Sequence, residues 1–306
     1  MDEENSVMLI AGSGGAKSTF AGGLLQHVDR TSGFGINSTI YGSKKDYQKG
    51  VRKRMFTGNQ YPDKTQDGYI ARYELTGKSF SRPATTVNLI DLPGEGLKAA
   101  IDGGVDMLPL IRQIKKGQTD DPEDIKTEYE KNIKPDFERG VSPTSPDVWK
   151  TAFLHHYYSS DKAIFLLNLY KATEENKDIA YDTEDIKHAN EEFTDVAVIP
   201  IAVDWYGYDP ESTNPGFVTR MLRQVITPSM RDQELLEHLT DRINRGSVPK
   251  VADILNFVDT NREVDFFGVS VPDKGAPQTE TGTLTADGHG GFEVKGFNKV
   301  IQWLEQ

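Results

Sequence analysis

The 306-residue chain contains no cysteine, which excludes a disulfide framework, a thiol nucleophile and any cysteine-ligated metal. It also lacks a long apolar run. No stretch approaches the roughly 18 residues of a membrane span, and the opening Met1-Asp2-Glu3-Glu4-Asn5 is acidic where a secretory leader would be basic. Basic charge is scarce: 35 Lys+Arg stand against 47 Asp+Glu, a formal charge of −12. Non-specific binding of nucleic acid or anionic membrane is therefore disfavoured, because both need cationic side chains to neutralise phosphates. A reducing cytoplasm fits the missing thiols. The cluster Lys44, Lys45, Lys49, Arg52, Lys53 and Arg54 runs against the overall balance. It reads first as a solvated face and second as a place for phosphate or an acidic partner. With 36% hydrophobic and 27% charged residues, the composition is that of a globular protein and excludes a fibrous or largely disordered one.

What is present is an alternation of short apolar runs and helical periodicities. Val7 to Ala11 is apolar and ends in Gly12-Ser13-Gly14-Gly15, the pattern of a buried strand entering a glycine turn. Phe20, Leu24 and Val28 then recur every four residues and predict a helix. Gly22 and Gly23 each weaken that helix by up to about 1 kcal/mol relative to alanine, which points to close packing there. Thr31 to Asp67 is polar and glycine-spotted, with one helix expected over Lys45 to Met55. Tyr69 to Leu75 alternates like a half-buried strand, and Thr86 to Ile90 is a second strand; a short connection makes them an antiparallel edge pair.

Charges and prolines dominate from Lys115 to Pro146, between amphipathic helices marked by Ile125, Tyr129 and Ile133 and by Trp149, Phe153 and Tyr157. This segment, about residues 96–160, reads as an inserted helical lid or arm. Further strands are expected over Ala163 to Asn168, Val196 to Val203 and Val264 to Val271. Helices are expected over Glu184 to Phe193, Phe217 to Val225, Gln233 to Ile243 and Val251 to Val258. Residues 275–295 read as a β-hairpin excursion, and Phe297 to Leu304 as a closing amphipathic helix. The expected fold is a single α/β domain over 1–306, in three layers, with a mostly parallel sheet, one antiparallel edge strand and the helical insertion.

Ala11-Gly12-Ser13-Gly14-Gly15-Ala16-Lys17-Ser18-Thr19 has a strand before it and a helix after it, as a phosphate-binding loop requires. Small residues let successive backbone N–H groups converge on phosphate oxygens. The helix start adds partial positive charge, Lys17 suits the outer phosphates, and the Ser18 hydroxyl suits Mg²⁺. Both glycines of the consensus G-x-x-x-x-G-K-[ST] are alanine here, Ala11 and Ala16. Alanine costs about 1–2 kcal/mol wherever a positive φ is required. A second motif, Asp91-Leu92-Pro93-Gly94-Glu95, ends an apolar strand with a carboxylate. Asp91 suits Mg²⁺ through a water, and the Gly94 N–H suits the γ-phosphate.

Together these residues resemble the P-loop GTPases of the translation-factor and Ras-like class, and within it the large prokaryotic double-GTPase relatives. The match covers Ala11 to Thr19, Tyr61-Pro62-Asp63-Lys64-Thr65 and Asp91 to Glu95. The resemblance implies that Thr65 closes over Mg²⁺ and the γ-phosphate, and that Glu95 stands where Ras-like enzymes carry a water-positioning glutamine. A carboxylate there can orient water but also repels phosphate, so slow hydrolysis is expected. Guanine recognition in the family uses N-K-x-D; here Ile201-Ala202-Val203-Asp204 keeps only Asp204. Asp204 can accept from the guanine ring N–H and amino group, Trp205 and Tyr206 can stack on a base, and Ser270 in Phe267-Gly268-Val269-Ser270 occupies the place of the family's other base-contacting loop.

The implied activity is binding and slow hydrolysis of GTP or ATP with Mg²⁺, as a switch that reaches a protein partner through the switch regions and the insertion. A deviant-Walker ATPase and a non-hydrolysing degenerate scaffold stay open, because the asparagine and lysine are missing. His155, His156, His188 and His289 lack zinc-site spacing; adjacent helical histidines point about 100° apart and read as packing residues.

Overall fold

A computed structural model describes residues 6–11, 16–31, 34–42, 44–62, 69–77, 85–91, 108–141, 145–173, 179, 181–211, 230–243, 248–272 and 283–306. Among them are the strands β1 (Ser6–Ile10), β2 (Phe34–Gly42), β3 (Tyr69–Gly77), β4 (Thr85–Asp91), β5 (Lys162–Asn168), β6 (Asp195–Ile201) and β7 (Val264–Phe266). The helices are α1 (Lys17–Arg30), α2 (Lys44–Tyr47, continued by a π-helical stretch Gln48–Thr57), α3 (Leu108–Lys115), α4 (Pro122–Glu128, with a π-helical stretch Tyr129–Ile133), α5 (Lys134–Glu138) and α6 (Pro146–Tyr158). They continue with α7 (Leu169–Thr173), α8 (Thr183–Glu192), α9 (Gln233–Arg242), α10 (Pro249–Thr260) and α11 (Phe297–Leu304).

The strands form one sheet in the order β2-β3-β4-β1-β5-β6-β7. From β4 to β7 all neighbours are parallel, and β3 runs antiparallel to both β2 and β4. The antiparallel pair expected from sequence is present, in register from Tyr69 opposite Asp91 to Leu75 opposite Thr85. It is not the sheet edge, however. β2 lies outside it, paired along its whole length from Phe34 opposite Gly77 to Gly42 opposite Tyr69. Gly35, Asn37, Ser38 and Gly42 give this strand little β-propensity, which is why it reads as loop in isolation.

Side chains that alternate along each central strand feed two cores, so runs such as Val7 to Ile10 are buried on both sides. Met8, Ile10, Phe165, Val198 and Phe266 share one core with residues of α3–α6 and α8–α10. Leu9, Ile164, Leu166 and Ile199 share the other with α1, α2 and α11. The architecture is therefore α/β in three layers. The segment read as a lid contributes Ile125, Tyr129, Ile133, Phe153 and Tyr157 to the first core, which makes it part of a helical layer. Its histidines pack: His155 stacks on Tyr129 at 4.0 Å, and His156 Nε2 lies 3.1 Å from the Tyr129 hydroxyl. Burial holds His156 well below the usual imidazole range. No group of metal-ligating side chains occurs among the described residues.

Gly22 and Gly23 sit where the sequence places close packing. A Cβ on Gly23 would enter the Phe297 ring, and one on Gly22 would meet the Met55 thioether. The hairpin expected near 275–295 is described only from Thr283. There Ala286 and Phe292 pair antiparallel, and Asp287 binds Arg30 at 2.9 Å. The helix expected over 217–225 lies outside the described residues. No helix among them is long and apolar enough to cross a membrane.

Candidate functional site

The C-terminal ends of β4, β1, β5 and β6 all reach one edge of the sheet, because these strands are parallel and in near-level register. Connections leave β1 toward one helical layer and β4 and β5 toward the other, so the crevice outside β1 is where an open α/β sheet takes ligands. β1 delivers Ala11 to this edge, and α1 begins at Lys17 after Ala16. Gly12 to Gly15 lie outside the described residues.

Ala16 has φ 66° and ψ 22°, the left-handed conformation. Ala11 has no positive φ, so of the two alanines that replace consensus glycines only Ala16 carries backbone strain. Its carbonyl accepts from the Phe20 N–H at 2.8 Å and starts the helix. No acidic residue occupies the first turn of α1, so nothing of that kind offsets the positive helix end. Lys17 is buried, and its ammonium donates to the Ala11 carbonyl at 3.2 Å. That bond ties the end of β1 to the start of α1 across the glycine-rich segment. Thr19 is buried; Ser18 is half-buried, with its hydroxyl 3.2 Å from that of Tyr69.

Asp91 is the last residue of β4 and the register partner of Tyr69. Since Met8 pairs with Asn88, three further residues along both strands bring Ala11 and Asp91 level. On the other side of β1, Asn168 ends β5 opposite Ile201 of β6. Ala202 then turns the chain with φ 66° into a short 3₁₀ turn, Val203–Tyr206. Asp204 is half-buried, and its N–H donates to the Ser270 hydroxyl at 3.1 Å. Ser270 is itself fully buried, so it acts by holding the Asp204 backbone. Trp205 is 43% exposed and meets Tyr170 edge-on at 5.4 Å. The Tyr206 hydroxyl bonds that of Thr173.

The structure thus brings Ala16, Lys17, Ser18, Thr19 and the backbone of Asp91 to the crevice beside β1, with Asp204, Trp205 and Ser270 further along the same edge. Thr65, Gly94 and Glu95 lie outside the described residues. No family model matches the chain, and no curated protein matches it. Sequence reasoning missed Tyr69 and Tyr170. A tyrosine opening a strand, or two residues past a strand end, carries no motif, and only the fold sets each against a residue that does.

Proposed function

We propose that the protein is a Mg²⁺-dependent nucleoside-triphosphate-binding switch of the P-loop GTPase class, with GTP as nucleotide and slow hydrolysis. The observation that carries this reading is the Lys17 ammonium, buried at the junction of a strand and a helix and held by the strand-end carbonyl across a glycine-rich segment. A cation kept in that position is placed for a polyphosphate at a helix start, where backbone N–H groups and helix dipole also favour negative charge.

The donor set suits Mg²⁺. One hydroxyl, from Ser18, and one carboxylate, from Asp91, are hard oxygen ligands of the kind that complete a site together with substrate phosphates and water. Such a site needs no all-protein cage. When bound, Mg²⁺ would supply positive charge against the charge that develops on the phosphates. In this reading Lys17 pairs with the outer phosphates, and Ser18, Thr65 and Asp91 hold the metal, Asp91 through a water. The Gly94 N–H meets the γ-phosphate and Glu95 orients the attacking water. Asp204 reads the base beside Trp205. The segments around Thr65 and Gly94 order on the triphosphate, and the helical layer after β4 passes that state to a protein partner.

Calorimetric titration with GTP and with ATP, each with and without Mg²⁺, tests the reading. Tight Mg²⁺-dependent binding of GTP, abolished in Lys17→Ala, is expected. Unchanged affinity in that variant refutes the assignment of the loop. Preference for ATP would favour the second reading, a deviant-Walker ATPase, which the isolated Asp204 without its asparagine and lysine motivates.

A further inference from the structure

Tyr69 is the first residue of β3, buried, and opposite Asp91 in the antiparallel register. Four residues before it in the chain is Thr65. The Tyr69 hydroxyl lies 3.2 Å from that of Ser18, the second residue of α1. One side chain therefore stands in direct contact with one candidate metal ligand, across a strand pair from a second and close in sequence to a third. The ring is fixed from behind: Tyr47 of α2 meets it edge-on at 5.6 Å and 73°, and the Tyr47 hydroxyl accepts from that of Tyr73 at 3.1 Å.

We propose that Tyr69 is a positioning residue for the divalent cation, acting through the Ser18 hydroxyl; this rests on the function proposed above. A serine hydroxyl has one hydrogen and two lone pairs, and a metal accepts only the lone pairs. A phenol oxygen that takes the hydrogen leaves both lone pairs for the cation. Loss of the phenol oxygen removes this acceptor, and the hydroxyl hydrogen then competes more often for the direction the cation needs. Partners one shell out from a metal ligand fix its orientation in this way, and their loss weakens metal binding about 10–100-fold. Held by β3 and α2, the phenol provides the orientation before the metal arrives.

The experiment is a Mg²⁺ titration of the full chain at saturating fluorescent GTP analogue, with the same nucleotide titrated in excess EDTA. Tyr69→Phe removes one oxygen. It is expected to raise the Mg²⁺ concentration at half-saturation about 10-fold while leaving nucleotide affinity in EDTA unchanged. A purely structural role would move both. Because the tyrosine acts through the serine, Ser18→Ala and the double variant S18A/Y69F are expected to share one half-saturation value. A further loss in the double variant overturns the proposal, as does an unchanged or tighter titration in Y69F. Should Y69F fold poorly, 3-fluorotyrosine placed at position 69 gives a second readout. Its ¹⁹F resonance is expected to shift when Mg²⁺ is added to the nucleotide-loaded protein, and an unmoved resonance overturns the proposal. If the wild-type chain shows no Mg²⁺ dependence at all, the parent reading fails and this one with it; a Mg²⁺-dependent wild type with an indifferent Y69F refutes this one alone.

Discussion

Replacing Ala16, the N-cap of α1, by glycine should stabilise the protein. Ala16 holds φ 66°, ψ 22°, a region that costs an L-residue with a Cβ about 1–2 kcal/mol. Glycine removes that strain and returns about 0.5–1 kcal/mol through the greater freedom of the unfolded chain. The expected net gain for Ala16→Gly is thus about 0.5–1 kcal/mol. Ala202, at the same φ of 66°, is expected to respond with the same sign. Ala11 is the control, since it is buried without a positive φ. Ala11→Gly loses a buried carbon worth about 0.8 kcal/mol and adds unfolded-state freedom, so it should destabilise by about 1–2 kcal/mol. Urea unfolding is the suitable assay. At roughly 2.1 cal/mol/K per residue, 1 kcal/mol moves the melting temperature of a 306-residue chain by under about 2 °C. The backbone N–H at position 16 survives, so nucleotide affinity is expected to persist. If all three glycines lower the urea midpoint, the left-handed assignment at Ala16 and Ala202 is refuted.

Gly23→Ala should destabilise by about 1–3 kcal/mol although alanine is the better helix former, because the new methyl enters the Phe297 ring; a more stable variant in urea would mean that α11 does not pack as described. Asp265 supplies a pH dependence. Burial, first of all, pushes its carboxyl up from 3.8 to about 6, against bonds from Trp303 Nε1 at 2.6 Å and the Met230 N–H that favour the carboxylate. With the folded value above the unfolded one, the contribution is fully present below about 4 and lost as pH rises through 6, in all about 3 kcal/mol. Trp303→Phe removes a donor to the ionised form and is expected to destabilise more at pH 8 than at pH 4.5; equal urea midpoint shifts at the two pH values would contradict this.

Much of the fold was legible because the physics that dictates it is local. Burial on both faces makes β1, β5 and β6 continuous apolar runs, and periodicity marks α1, α4, α6 and α9 through residues such as Phe20, Ile125, Phe153 and Leu239 that do reach the cores. β2 was illegible because an edge strand can be polar, and its nine-residue pairing with β3 is a property of two segments. The helical segment after β4 read as an arm since its charges are visible in sequence while the sheet face that covers Tyr129 and Phe153 is not. At the site, Lys17 and Asp91 were legible through spacing from strand ends. Tyr69 and Tyr170 were not, because what distinguishes them is a neighbour distant in the chain.

The two left-handed alanines join these observations. Among the described residues only Ala16, Asn59 and Ala202 have positive φ without being glycine, and asparagine tolerates that region through its short polar side chain. The alanines have no such allowance, and both stand where the chain turns from the C-terminal edge of the sheet into a helical turn: Ala16 before α1, Ala202 at the exit of β6. Each turn is also pinned by a bond from outside it. Lys17 reaches back to the Ala11 carbonyl, and the buried Ser270 hydroxyl takes the Asp204 N–H. Backbone strain of about 1–3 kcal/mol persists only where the surroundings over-determine a conformation, and such positions cluster at binding sites. The same device thus recurs at two turns on one edge of the sheet, and in the reading proposed above these are the phosphate end and the base end of the site, separated by β1, β5 and β6. Under that proposal a nucleotide has to span two strand separations, about 10 Å, and shortening the turn at Ala202 is expected to change the GTP-to-ATP affinity ratio in calorimetry while inorganic triphosphate binds as before; an unchanged ratio would refute the assignment of Asp204 to the base.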